Sequence, residues 1–236
     1  EKLIMFDPKM FIHIPKCAGM TIRRSDTLSG KIISATPQTH KSPDYIKALA
    51  AQMKKQGDQT TNPEHARWRD LDWKFQAYDC FAVARNPWDR VVSRYFFARK
   101  VKFVEKKSSK TGDNCDTFEE FLEERHTWGG VPYNWHRAVK GWYPAVDHVC
   151  DENKNLKCDM IRFENLDADL EKYFNIPKMT RARNVTGLNE GSYMDLYDDR
   201  TIQIVADWYK TDIDMWGYDF DSGAQRNYWN EGIKHI

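Results

Sequence analysis

Twice along this chain a short apolar run breaks off at a tight turn and gives way to a helix start. The first instance is Phe11-Ile-His-Ile-Pro-Lys-Cys-Ala-Gly-Met-Thr21, the second Phe81-Ala-Val-Ala-Arg-Asn-Pro-Trp-Asp-Arg-Val-Val-Ser-Arg-Tyr95. A buried strand that delivers the chain to a turn, followed by the amides of a helix N-terminus, makes a cradle for an anion. Two cradles at the carboxyl ends of buried strands imply a ligand carrying two separate phosphate-like groups.

The intervening pattern fits a sheet covered on both sides. Cys80 to Ala84 is continuously apolar, as a parallel strand buried on both faces must be. Strands are predicted over 11–14, 31–35, 79–84 and 160–163. Helices are predicted from Thr21, from Ser42-Pro43 and from Asn86-Pro87, the last two by a cap residue followed by proline. Ile46, Leu49, Ala50 and Met53 give the second helix its apolar stripe, and Val91, Val92, Tyr95 and Phe96 turn the third inward. Thr117 and Glu120 make a capping box ahead of Phe118, Phe121 and Leu122. Further helices are marked by Leu166, Leu170, Tyr173 and Phe174, and by Ile202, Val205, Ala206 and Tyr209. Strand and helix alternate, which predicts one α/β domain over 1–236, three-layered, with a mostly parallel central sheet and helices on both faces. Residues 128–144 show no period and are predicted to loop over the site.

With 36 Lys and Arg against 35 Asp and Glu, the net charge of +1 supplies no global field for nucleic acid. The charge is unevenly placed. Between Arg85 and Lys110 nine basic residues face two acids, while between Glu190 and Asp221 nine acids face Arg200 and Lys210. The basic stripe suits either an acidic substrate or a solvated helix face. Five cysteines form neither a metal nor a disulfide framework, although Cys150 and Cys158 flank a polar turn and could pair in an oxidising compartment. No segment reaches the roughly 20 apolar residues of a membrane span, and no signal peptide is visible.

The two motifs together resemble the sulfotransferases that use 3′-phosphoadenosine 5′-phosphosulfate (PAPS), and most of all the carbohydrate-type, Golgi-like branch and its bacterial relatives. That branch has a loop reading Ile-Pro-Lys-x-x-Gly-x-Thr/Ser and a second motif reading Arg-Asn-Pro-x-Asp-Arg-x-x-Ser-x-Tyr. A looser similarity continues through Arg162-Phe-Glu-Asn-Leu166 and from Tyr209 to Tyr218. The resemblance implies a P-loop-like sulfotransferase fold, with the loop Pro15, Lys16, Cys17, Ala18, Gly19, Met20 and Thr21 on the 5′-phosphosulfate. It implies Arg85 and Ser93 on the 3′-phosphate, and PAP as the product. A lysine against the bridging oxygen stabilises charge that grows only as the S–O bond breaks, which is the condition for catalysis, so Lys16 is the expected catalytic cation. Lysine precedes the glycine here, unlike the ATP-type loop, and the reaction calls for no metal. Asp89 and Arg90 are expected to hold the turn together.

The acceptor hydroxyl must lose a proton, and histidine or glutamate is the usual agent. Relatives often carry a histidine upstream of the Arg-Asn-Pro motif. His65 suits that description first, His40 second and Glu64 third. His13 sits inside the first strand and reads as a core group or one that supports the site. His126, His136 and His148 have no motif to recommend them. Arg183-Asn-Val-Thr186 falls where relatives close over the nucleotide, and is also a glycosylation sequon. The expected acceptor is a sugar or glycan, possibly acidic, with the oligomeric state open. Cytoplasm is expected over Golgi lumen, unless an upstream anchor has been removed. Two other readings stand beside this one. A P-loop phosphotransferase would need a Gly-Lys-Ser/Thr and a Walker-B acid, and neither is found. A non-catalytic glycan-binding module on the same scaffold is opposed by the intact Lys16, Arg85 and Ser93.

Overall fold

The computed structural model describes residues 7–41, 63–100, 103, 115–129 (of 124–129 the backbone alone), 143–179 and 192–226. The helix predicted from Ser42, the lysines at 102, 106, 107 and 110, His136 and the Asn184 sequon lie outside them. Four strands, β1 (Lys9–Ile12), β2 (Ile32–Ser34), β3 (Cys80–Ala84) and β4 (Asp159–Arg162), stand in the order β2-β1-β3-β4, every neighbouring pair parallel. Eight α-helices are described: α1 (Gly19–Arg23), α2 (Trp73–Gln76), α3 (Pro87–Arg99), α4 (Phe118–Gly129), α5 (Ala145–Val149), α6 (Leu166–Phe174), α7 (Asp199–Trp208) and α8 (Lys210–Trp216).

This is the expected α/β architecture. Side chains of a strand alternate between the two faces, and all five of β3 are buried, so the sheet is covered on both sides. Phe81 lies at its centre, 5.0 Å from the ring of Phe11 across the strand pair and edge-on to Phe174 of α6 at 5.2 Å. The register sets Ile12 beside Ala82 and Ala84 beside Arg162. Because the strands are parallel, the turns after β1, β3 and β4 all emerge along one edge of the sheet.

Three elements differ from the sequence expectation. β1 begins at Lys9 and stops at Ile12, two residues short of the predicted end, because the chain turns before Pro15. The last predicted helix is two, α7 and α8, joined at Tyr209, whose φ of −110° and ψ of 23° depart from helical values. α4 continues to Gly129, into the stretch expected to be loop. Cys150 and Cys158 are free thiols, and Cys158 is hydrogen-bonded with Cys80 instead of bridging the turn. Among the described residues of the basic stripe, Arg90 and Arg99 are turned to the protein. Arg90 is buried, and Arg99 donates to the carbonyls of Cys115 and Asp116. No helix among the described residues is long and apolar enough to cross a membrane.

Candidate active site

The turn after β1 is built around an unusual backbone. Cys17 N–H donates to Ile14 O at 3.3 Å, closing a four-residue turn with Pro15 and Lys16 at its centre. Proline presets the first central φ, and the second is positive, 67° at Lys16, where glycine is the usual occupant. Ala18 is left-handed too, with φ 58° and ψ 13°. Two non-glycine residues held this way cost about 1–3 kcal/mol each, and such strain collects at functional sites. Ala18 caps α1 without a side-chain hydrogen bond. Among the described residues no protein group accepts from the N–H groups of Ala18, Gly19, Met20 and Thr21. Cys17 turns away from this cradle: it is fully buried, and burial pushes its thiol up to about 11, so it packs and does not attack.

Gly19 has a specific reason to be glycine, and its φ is not that reason. A Cβ there would overlap the imidazole of His13. His13 stacks on Phe11 at 5.6 Å and lies 4.2 Å from the ring of His65. The bare backbone of α1 is therefore the surface against which a buried histidine rests.

Lys16 and Arg85 come together at the same edge. Arg85 Nη1 donates to Lys16 O at 2.9 Å, while Nε and Nη2 donate to the Asp89 carboxylate at 2.7 and 2.8 Å. The guanidinium also lies 4.0 Å from the Phe163 ring. Three of its five N–H groups are thus engaged and two remain. Arg90 fastens the loop from the next turn of α3, donating from Nε to Pro15 O at 3.0 Å and from Nη1 to Tyr143 O at 2.7 Å. Lys16 Nζ sits 4.4 Å above the ring of Phe97. Ser93, half-buried, lies between Arg90 and Phe97 at helical spacings of three and four, so it shares the face of α3 that meets the loop. The Lys16 ammonium has no carboxylate partner among the described residues. Burial first, then Arg85 and Arg94, lower its pKa from 10.5 to about 7.

His65 meets the chain at His13, just ahead of the loop. Its Nδ1 is 3.0 Å from His13 O, and its Nε2 is 3.7 Å from Glu64 Oε1. Glu64 Oε2 is paired with Arg23 of α1. His13, Glu64 and His65 each bring a ligand-type atom within 4.8 Å of the others. Spacing along the chain could not reveal this cluster, since His13 is 52 residues from His65. His40 is buried at an isolated bridge to Leu71 and lies near Asp70. His148 is fully buried beside Arg90, and both effects lower its pKa.

The sequence matches the model of the Sulfotransferase family over residues 7–219. This chain belongs to that family. Its chemistry is sulfuryl transfer, and its fold and both anion-type turns fall inside the matched span. No solved structure matches it significantly. The sulfotransferase motif at 85–95 is completed by residues far along the chain. Asn86 Oδ1 caps α3 at Trp88 N and Asp89 N, and its Nδ2 donates to Asp219 O at 2.9 Å and Ser222 O at 2.7 Å. Asn86 N donates to Glu164 Oε1 at 2.6 Å. Glu164 is itself shielded by Gly223, where a Cβ would press at 3.0 Å. Sequence reading found Asn86 as a cap and missed its second task, because that task needs residues 219–223.

Proposed function

We propose that this sulfotransferase draws its sulfuryl group from PAPS and transfers it by direct in-line displacement to a hydroxyl of a carbohydrate acceptor. One observation carries the reading: Lys16 is a half-buried ammonium close to Arg85, Arg94 and Lys100, with no carboxylate among the described residues to balance it. Such a cluster is stabilised by an anion, and the unpaired amides from Ala18 to Thr21 lie in the same turn. These groups fit the phosphosulfate end of the nucleotide. The two remaining N–H groups of Arg85, with the Ser93 hydroxyl, fit its 3′-phosphate.

When bound, the nucleotide supplies a sulfuryl group on a phosphate leaving group. Pro15 to Thr21 hold that end and exclude water from it. Lys16 presents charge to the oxygen on which charge develops, and its pKa near 7 lets it also return a proton there. With His65 Nδ1 assigned as donor to His13 O, Nε2 keeps its lone pair and accepts the proton of the acceptor hydroxyl. The sugar rests on the resemblance of the Ile-Pro-Lys-Cys-Ala-Gly loop. An acidic glycan gains less from the basic stripe than its charge count suggests, since Arg90 and Arg99 are turned to carbonyls.

Titration calorimetry with PAP, and with ATP–magnesium as comparator, tests the donor. PAP is expected to bind wild type and to lose at least tenfold in Lys16→Ala. Equal binding of PAP by both proteins, or a preference for ATP–magnesium, refutes it. Transfer from PAPS across a panel of sugars tests the acceptor, and failure on every sugar alongside success on phenols or peptides overturns that part.

A further inference from the structure

We infer that His13, Glu64 and His65 form a binding site for a zinc-class divalent cation, and that its occupation switches off sulfuryl transfer. The second half rests on the proposal that His65 Nε2 is the base.

The donor set is two imidazoles and one carboxylate, which suits zinc, cobalt or nickel and is wrong for the all-oxygen shells of calcium and magnesium. Zinc bonds of about 2.0–2.2 Å place tetrahedral ligands roughly 3.4 Å apart. His65 Nε2 and Glu64 Oε1 already stand at 3.7 Å. The other separations, none above 4.8 Å, close on that value by small side-chain rotations.

The surroundings prepare the ligands. The His13 O contact at His65 Nδ1 holds the ring with Nε2 toward Glu64, the outer partner that metal-bound histidines ordinarily have. His13 is 5% exposed, and its Nδ1 has no hydrogen-bond partner among the described residues. The side chains of His65 and Glu64 are 18% and 14% exposed, so a cation can reach them. Arg23 holds Oε2 of the same carboxylate and opposes the cation by charge, which sets a modest affinity suited to reversible occupation. The three ligands leave a fourth position for water. A lone pair given to the metal is no longer available to the acceptor proton, and this is how occupation stops turnover.

Cobalt(II) titration of the whole protein, read by visible absorption with zinc as competitor, is the test. One equivalent with the strong absorption of a four-coordinate site is expected, weakened at least tenfold in Glu64→Gln and in His65→Asn and strengthened several-fold in Arg23→Gln. PAP affinity, which does not use these side chains, reports that each variant is folded. The absence of a saturable signal, or a signal unchanged in Glu64→Gln and His65→Asn, overturns the site. In the transfer assay zinc is expected to inhibit wild type, with restoration by a chelator. Zinc bound in one equivalent but without inhibition upholds the site and overturns the base assignment, so the two failures are told apart.

Discussion

Replacing Lys16 by methionine removes a charge and keeps most of the aliphatic stem. In the folded protein this lysine titrates near 7, against 10.5 for an ordinary lysine, because burial and the neighbouring Arg85 and Arg94 disfavour its charged form. A lysine with a lowered folded pKa binds fewer protons folded than unfolded, so it penalises folding below that pKa and the penalty fades as pH rises toward 10.5. At about 1.4 kcal/mol per unit, the penalty approaches about 4 kcal/mol near neutrality. Lys16→Met is therefore expected to be the more stable protein at pH 7. Its advantage should shrink by about 2–3 kcal/mol between pH 7.5 and 9.5. Urea unfolding of both proteins across that range measures the difference directly, since all other groups titrate alike in the two. A phosphate-bearing nucleotide should then narrow the gap, stabilising wild type by more than the variant. A pH-independent gap, or a variant less stable at pH 7, would show that a further group of the protein balances the ammonium.

Gly19→Ala drives a methyl into the His13 ring and is expected to cost about 1–3 kcal/mol by thermal melting; His13→Ala in the same chain should recover part of it, a non-additivity that a purely backbone effect would not show. Asp212, buried and accepting from Ala145 N and Val146 N, has its pKa raised by burial to about 6. A raised carboxylate pKa means that its contribution is greatest at low pH and is lost as pH climbs through about 4 to 6, by about 3 kcal/mol in all. The stability difference between wild type and Asp212→Asn should change by that amount over the window, read by chemical denaturation. Asp89→Asn frees the Arg85 fork from its strongest partner and should reduce transfer rate and nucleotide affinity together, measured by steady-state kinetics and calorimetry.

The parts of this fold that sequence disclosed are those fixed within a few residues. Pro87 after Asn86 and the box of Thr117 with Glu120 each satisfy helix-end donors locally, and each appears as read, with Glu120 N donating to Thr117 Oγ1 at 3.1 Å. Cys80 to Ala84 announces a strand buried on both faces because nothing in it is polar. The parts that stayed hidden are fixed across the chain. α5 is only five residues long and draws its N-terminal acceptor from Asp212, 67 residues from Ala145, so no local signal marks it. Arg85 was legible as a strand-end cation, whereas its clasp on the Lys16 carbonyl depends on register between β1 and β3. His13 was legible as an inward group, but its place against Gly19 and beside His65 follows from where the chain turns after Ile12.

The clasp that Asn86 makes on Asp219 and Ser222 spans up to 136 residues, so the turn that begins α3 stays incomplete until residue 222 has been synthesised. Closing so long a loop comes late and is slow. A chain cut short of Asp219 therefore lacks the clasp that holds the start of α3 against the rest of the fold.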